Sequence, residues 1–586
     1  MLGFIHGPGS FRAAQGTLSS PSTYTLPPYF RSLWTPSFTI LKSGTIYSSN
    51  YNPDADKPTP TRTYYVDPVA GNDTTGDGTS GNPYKTLNKA HTEGGTNVTR
   101  ILAKGGWYDQ TNGFAAGWAP TASRIIESSD GNIVYINRAI TSPSFTLHSG
   151  NVYRMTGVTG IATILDLTRK VSTSQETLVD GVTGVPIPFS VQTSIANVQA
   201  NPYSFYDDGV DIYAHFASGA APNLTNVKVL SADNVTALTT GMDGDTLWLS
   251  MCEFWGKQAI KWDSSSSGQN CRLIAQDTAA RYAILDNWDI DDITTRLIRC
   301  YATDSREVDG FNYHRNVAYA WNTTHLEVDC YGARNGYNGV GSNDNNFTTH
   351  DRVYFIRLNC KGRNAKGPNF ADTAGSFGVN LGCQSFDSDG SPEEGFSVGT
   401  SSASYEGVVW YEDCSDTGST RGFSRSTGAH MVLLANNTGT TNGTIIDGTN
   451  PANVDALILP TNTVLPAESG TETEGQTLTG TLGTWSGGLP VVTYARQWQR
   501  NVAGTWTDIP GATGSTYVLQ AADVGTTVRP GVAALVGPEL DPYALAIVWA
   551  YGTATGTIAA LPPGNSILME DNSFVLMEDN SKITLE

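Results

Sequence analysis

Charge is scarce in this sequence, and what there is leans one way. Only 15% of residues are charged, and 55 acidic against 35 basic side chains give a net charge of −20. So few Lys and Arg exclude a nucleic-acid partner, because phosphate binding needs basic residues in excess. Neutral or cationic partners stay open, and an acidic polysaccharide would need local basic residues in its groove. Helical segments rich in Glu, Lys, Leu and Ala are nearly missing, while Gly (62), Asn, Thr, Ser and Asp are dense. That is the composition of an all-β chain with many turns. No run is long and apolar enough to cross a membrane, so no membrane insertion is expected. The opening Met1-Leu-Gly-Phe-Ile-His-Gly-Pro-Gly-Ser lacks a basic start and a continuous apolar run. No secretory signal is expected there, and work outside a cell would require exit by lysis or a specialised route. At 586 residues the chain is too long for one core and should divide into several units.

Cysteine is also rare, at seven, and confined to Cys252–Cys414. An odd number cannot all pair, and no Cys-x-x-Cys pair supports zinc. Free core thiols are expected, acting as small hydrophobes, with no metal centre and no cofactor. From Cys300 onward they keep a register: Cys300, Cys330, Cys360, Cys383 and Cys414, spaced by 30, 30, 23 and 31 residues. Two residues before four of them stands an aliphatic (Ile298, Val328, Leu358, Leu381). Two residues after stands a small one (Ala302, Gly332, Gly362, Ser385). Residues two apart in a strand share a face, so each cysteine is expected mid-strand. One such strand about every 20 to 30 residues is the mark of a solenoid.

Residues 1–61 are low in charge and rich in Pro, Ser, Tyr and Thr. They read as an extended arm that needs a partner surface. At Tyr64 the character changes. Tyr64-Tyr-Val-Asp opens a strand, a Gly/Asn/Asp loop follows, and Pro83-Tyr84 leads into a short helix from Thr86 to His91. This run resembles the first coil of right-handed parallel β-helices of the pectate-lyase-like superfamily, where the short helix caps the open end. A cap is needed because a bare terminal coil exposes strand edges. The resemblance implies a solenoid over residues 62–450. A hairpin pattern from Asn201 to His215, turning at Asp208-Gly209, marks a β subdomain inserted near 150–245.

A separate unit follows over 461–560. Its landmarks are Glu474-Gly-Gln-Thr-Leu, Gly483-Thr-Trp-Ser, Tyr494-Ala-Arg-Gln-Trp-Gln-Arg and Ala522-Asp-Val-Gly. It resembles bacterial and phage immunoglobulin-like domains, with Trp498 as core tryptophan and Asp523 at a corner. It contains no cysteine, so packing alone must hold its sheets. The tail 561–586 repeats Asn565-Ser-Ile-Leu-Met-Glu-Asp as Asn572-Ser-Phe-Val-Leu-Met-Glu-Asp and Asn580-Ser-Lys-Ile-Thr-Leu-Glu. Three strands so short are marginal alone and should pair in an oligomer or on the preceding domain.

Chemistry is sought after each marker cysteine, where the chain turns into another strand. Aligning those turns gives an inward column of Phe311, Val340, Phe370, Phe396 and Phe423. An outward column of Asp309, Asn338, Glu394 and Arg421 precedes it. Coils stack about 4.8 Å apart, so neighbours in such a column touch one sugar unit. The densest polar cluster runs from Glu307 through His314, then Asp344 to His350 and Asp351, then Asp372. Asp309, His314, Asp344 and Asp372 are the candidate catalytic residues. Glu307, Asn338, His350, Asp351, Glu394 and Arg421 are the candidate glycan-binding residues. Glycoside hydrolysis needs two carboxyls about 5 to 10 Å apart, a range that nearby coils supply. A lyase would use a base and a cation, for which His314 and Arg315 are available, but no lyase signature is present. Asn and Asp at solenoid bends also fix turns by bonding the backbone, which is the bland reading of the same residues. Trp321, Trp410, Tyr411 and Arg421 are candidates for a carbohydrate platform or, equally, for buried packing.

Taken together, β-helix opening, immunoglobulin-like domain and repeated tail resemble a bacteriophage receptor-binding spike or fibre. The resemblance implies a homotrimer on the virion surface, assembled in the host cytoplasm. Its arm would attach to other virion proteins, and its solenoid would bind or cut host surface polysaccharide. It carries over no catalytic motif residue by residue. The alternative is a non-catalytic head fibre or decoration protein with weak glycan adhesion; a free polysaccharide lyase leaves the arm and tail unexplained.

Overall fold

The computed structural model describes residues 21–27, 30–31, 34–171, 185–216, 221–236, 244–263, 270–315, 323–338, 344–389, 393–399, 407–426, 429–442, 446–447, 461–486, 492–536, 546–561, 565–568 and 574–577. Two compact units emerge, one reaching Asn450 and the other starting at Pro451.

The first unit is a parallel β-helix. Each full coil gives one strand to each of three parallel sheets. Sheet I has twelve strands, from Arg62–Val66 to Ile446–Asp447. Sheet II has nine, from Gly106–Tyr108 to Ser415–Thr417, and sheet III eight, from Ile260–Asp263 to Thr441–Asn442. A representative coil runs Thr294–Ile298 in sheet I, Tyr301–Thr303 in sheet II and Phe311–His314 in sheet III. The short helix, α1, spans Leu87–Gly94 and is N-capped by the Thr86 hydroxyl. It buries Leu87 and Ala90 in one cluster with Val66 and Ile101 of the first two sheet-I strands, the position expected of a cap.

All seven cysteines are free and buried, but they sit at a corner rather than mid-strand. The residue before each of Cys252, Cys300, Cys330, Cys360, Cys383 and Cys414 has a φ between 50° and 66° (Met251, Arg299, Asp329, Asn359, Gly382, Asp413). One left-handed residue turns the chain from sheet I to sheet II and breaks the alternation of faces. Ile298, Val328, Leu358 and Leu381 therefore point outward from sheet I while the thiols point in. Each of these six thiols reaches a sheet-I carbonyl one coil back, as Cys330 does to Leu297 at 3.5 Å and Cys414 to Asn380 at 3.2 Å.

At the next corner a ladder of buried amides replaces the thiols. Asn287 donates to Asn335 at 2.9 Å, Asn335 to Asn346 at 2.8 Å, and Asn346 to Asn369 at 2.6 Å. Beside it runs the inward aromatic column of sheet III: Trp288, Phe311, Phe347, Phe370, Phe396 and Phe423, with ring centroids 4.6 to 5.7 Å apart. Phe347 holds the place assigned by spacing to Val340, which lies outside the described residues. The coil between Cys330 and Cys360 takes a longer excursion before sheet III than its neighbours. Counting from the cysteine therefore lands early, and Asn345 rather than Asn338 stands two before the ring.

Two of the sheets are roofed by the chain itself. Between Asn137 and Thr246 lies an excursion whose strands form a five-stranded and a three-stranded sheet. Its hairpin of Ser204–Asp207 and Ile212–His215 is closed by Asp208, which accepts from the amides of Val210 and Asp211. Leu165, Val185 and Leu230 of the excursion pack on Trp255 and Tyr282, over the outside of sheet II. Sheet I is roofed by the segment before the first coil. Tyr47 Oη donates to Asp413 at 2.6 Å, and Asn359 Nδ2 to the Tyr47 carbonyl at 2.6 Å. Phe30 meets Trp410 edge-on, Arg296 lies over Trp34, and Lys57 sits 3.8 Å over the Trp248 ring. The partner surface of residues 34–57 is thus the solenoid's own flank, and Leu26, Phe30, Phe38, Ile40 and Tyr47 are buried.

The second unit pairs a four-stranded antiparallel sheet with smaller two- and three-stranded ones. Trp498 is buried among Leu478, Ile509, Tyr517, Leu519 and Val528. Asp523 is buried where Tyr517 Oη and the Gln520 amide donate to it, both at 2.7 Å. In the tail, Asn565–Leu568 pairs antiparallel with Phe574–Met577; the third repeat lies outside the described residues.

Candidate functional site

Sheet III has a polar outward face, much of it buried: Asp289, Asn312 and Thr348 are all buried. Phe311 and Tyr313 point inward, so Asn312 and His314 point out, and register extends this to two outward columns. One contains Lys261, Asp289, Asn312 and Thr348; the other contains Asp263, Asp291 and His314.

Carboxylates gather in and beside the first column. Asp289 accepts from Lys261 Nζ at 2.6 Å and Gln258 Nε2 at 2.7 Å. Two residues along on the same face, Asp291 is pushed up to about 6 by burial and by the charge of Asp289. Residues so placed have Cα atoms about 6.6 Å apart, within the spacing used by paired carboxyls on a glycosidic bond. One member is ion-paired and the other is raised to about 6, the kind of difference in environment that separates a base or nucleophile from an acid.

Asp309 is buried and does not belong to either outward column. Its Oδ1 accepts from the Asn345 amide at 2.6 Å, and its own amide donates to Asp286 at 3.0 Å. Burial, foremost, raises both carboxyls: Asp286 well above its usual range, with Asp309 and Asp289 nearby, and Asp309 to about 7. Asp344 is pushed up to about 6 by burial and by Glu307. Its Oδ2 is buried with no hydrogen-bond partner among the described residues.

His314 projects from the second column with Nδ1 3.2 Å from Asp351. Burial disfavours its charge, but the Asp351 hydrogen bond and the Asp291 charge prevail and raise it. His350 stacks on it, and burial with the His314 charge lowers His350 to about 4. Asp351 and Arg352, just beyond, have φ of 56° and 67°. Successive left-handed side-chain residues cost about 1 to 3 kcal/mol each and persist where the surroundings enforce them.

Three further assignments change. Asp372 points into the solenoid, where Arg357 bridges it to Glu327 with both N–O distances 2.7 Å; it is sealed from substrate. Tyr411 is also interior, against Phe396 and Phe423, and Trp410 is covered by Phe30. They form no carbohydrate platform, and Trp321 lies outside the described residues. Arg315 is buried and donates to the Arg352 carbonyl. Glu394 and Arg421 are register partners 3.3 Å apart. Glu394 lies three coils from Asp309 and Arg421 four, about 14 and 19 Å along the axis. Glu307 and Asn338 are exposed and both touch Arg306, whose guanidinium reaches the excursion at Ala162.

Asp286, Asp289 and Asp291 fall before the stretch singled out from the sequence. Their signal is plain in retrospect: Trp288-Asp-Ile-Asp alternates, and in a strand that places both aspartates on one face.

No family model and no curated protein matches the chain. Solved structures similar to it include the pectate lyase Pel9A, at 12% identity over 66% of this chain and 80% of that one, with a TM-score of 0.31. A glycoside hydrolase matches at 9% identity over 65% of this chain and 97% of that one, with a TM-score of 0.36. The tailspike protein gp49 of Pseudomonas phage LKA1 matches at 11% identity over 79% of this chain and 90% of that one, with a TM-score of 0.24. The neighbours thus include two phage tailspikes, a pectate lyase and a glycoside hydrolase, while the parallel β-helix of this chain rests on its own three sheets.

Proposed function

We propose that this protein is a virion-attached spike that binds host surface polysaccharide along sheet III and hydrolyses it there. The observation that carries the reading is the pair Asp289 and Asp291 on one outward strand face, one ion-paired to Lys261 and the other raised to about 6. Asp291 is the proton donor to the leaving sugar oxygen, and Asp289, paired with Lys261, its partner carboxyl. His314 is the register partner of Asp291 on the next coil, and the nearby carboxylates hold its imidazole above its ordinary value. Asp309 and Asp344 shape the adjoining coils. Glu394 and Arg421 mark a distal subsite, and Glu307 and Asn338 an edge near the excursion. The homotrimer, the immunoglobulin-like identity of 461–560 and attachment through 1–61 belong to the same proposal, with residues 34–57 of that arm already engaged on sheet I.

The test is to incubate the full chain with capsule and lipopolysaccharide from a panel of hosts and follow polymer length and new reducing ends. Shortening that is lost in Asp291→Asn and Asp289→Asn is expected. Shortening that survives both would refute the assignment. Binding without shortening would favour the alternative, a non-catalytic fibre. That alternative has its own support, because Asp286 and Asp309 each accept a backbone amide and so fix turns.

A further inference from the structure

The C-terminal unit carries a surface that the solenoid reading does not use. On its four-stranded sheet Trp498 faces the core, so Gln497, Gln499 and their register partners face out. Gln499 stands opposite Arg529 and Asp508, Gln497 opposite Gly531, Gly531 opposite Tyr551, and Ala533 opposite Trp549. The outer face thus presents Arg529, Tyr551 and Trp549 above a floor of Gly531 and Ala533. The floor must be small: a Cβ on Gly531 would stand 2.9 Å from the Tyr551 ring.

These groups are fixed in place. The Arg529 guanidinium lies 4.1 Å from the Trp506 ring centroid and 4.3 Å from that of Tyr551. Its Nε and Nη2 donate to Gln499 Oε1 at 3.0 and 2.8 Å. Gln499 is anchored in turn by donating to Asp508 at 2.8 Å. Trp549 and Tyr551 are parallel within 6°, and Trp549 is 40% exposed. No carboxylate stands within ion-pair distance of Arg529 among the described residues; its hydrogen-bond partner is a neutral amide. In a chain of net charge −20, such a cation beside open aromatic rings is complementary to an anionic ligand with an apolar face.

We infer that this face binds an acidic saccharide. The C–H face of a sugar ring stacks on Trp549, and its carboxylate pairs with the outward side of Arg529. The site is independent of sheet III and needs no catalysis there. It belongs to a compact unit separate from the solenoid.

Affinity electrophoresis of the full chain in gels containing polygalacturonate, alginate or neutral dextran tests this. Retardation is expected in the two acidic gels and not in dextran. Trp549→Ala and Arg529→Gln should each weaken it about tenfold, the worth of one charge-assisted contact. Both variants should melt like the parent, and Asp291→Asn should be retarded normally, which separates this site from the solenoid. Absence of retardation in both acidic gels would overturn the inference, as would retardation that survives both substitutions. If sedimentation shows Trp549→Ala abolishing self-association instead, the face belongs to a second copy and the saccharide assignment fails.

Discussion

The imidazoles of His314 and His350 lie face to face on adjacent coils, centroids 4.4 Å apart and planes within 5°. Two cations cannot share that stack, so the surroundings decide which ring holds a proton. Asp351 hydrogen-bonds His314, whereas Thr373 Oγ1 meets His350 Nδ1 at 2.8 Å. NMR titration should give one histidine above its ordinary 6.5 and its neighbour near 4. His314→Gln should move His350 back up toward 6.5. Two rings titrating together near 6.5 would refute the pairing. By linkage, the His314 contribution to stability is full below its ordinary value and fades as pH rises through its folded one.

Asp309 makes a second pH prediction. Its folded value is raised from 3.8 to about 7, so the folded state holds that proton more tightly than the unfolded one. Its contribution to stability is therefore full at acid pH and lost as pH climbs between those two values. Asp309→Asn mimics the protonated form and can still accept from the Asn345 amide. Melts across pH 4 to about 8, spanning that window, should show a flatter profile than the parent and a higher Tm at the alkaline end. A variant less stable at every pH would show that the charge itself is needed.

Much of the solenoid was legible because its signals are local and periodic. Thiols, small residues and rings recur once per coil, and the end cap has its own strand, loop and helix pattern. Phase was harder. One left-handed residue before each cysteine, such as Asp329 or Asn359, reverses which face a side chain joins, and strand alternation does not announce it. Loop length misled in the same way, shifting Val340 for Phe347. Asp372 looked like a surface acid because its partner Arg357 is 15 residues away and meets it only when the coil closes. The roof over sheet I did have a signature: Tyr354-Phe-Ile and Phe377-Gly-Val are apolar at inward and outward positions alike, as in strands covered on both sides.

That roof should matter to stability. Asp413 has a fully buried side chain that receives Tyr47 Oη at 2.6 Å and pairs with Lys42 at 2.7 Å. Tyr47→Phe removes one donor and leaves the carboxylate short of partners, at a cost of about 1 to 3 kcal/mol. Denaturant unfolding followed by tryptophan fluorescence would measure it, since Trp34, Trp248 and Trp410 all lie along this contact. An unchanged midpoint would mean the segment adds order but no stability.

The interior triad offers the sharpest separation of structural from catalytic carboxylates. Arg357 is fully buried between Glu327 and Asp372, and Tyr313 Oη donates to Glu327 at 2.7 Å. Burial pushes Glu327 up to about 7 even beside the guanidinium. Arg357→Met strands two carboxyls without their cation, a loss of about 3 to 5 kcal/mol near neutrality. The loss should shrink as pH falls through about 7, because protonation of Glu327 then removes one of the stranded charges. Replacing all three as Glu327→Gln, Arg357→Met and Asp372→Asn should restore part of it, since an uncharged core pays no ionic desolvation. Asp372→Asn alone should lower the unfolding midpoint yet leave polysaccharide binding and shortening unchanged at temperatures where it is folded. If that single substitution abolishes shortening in a protein that melts like the parent, the inward-facing Asp372 takes part in the chemistry and the assignment to Asp289 and Asp291 falls.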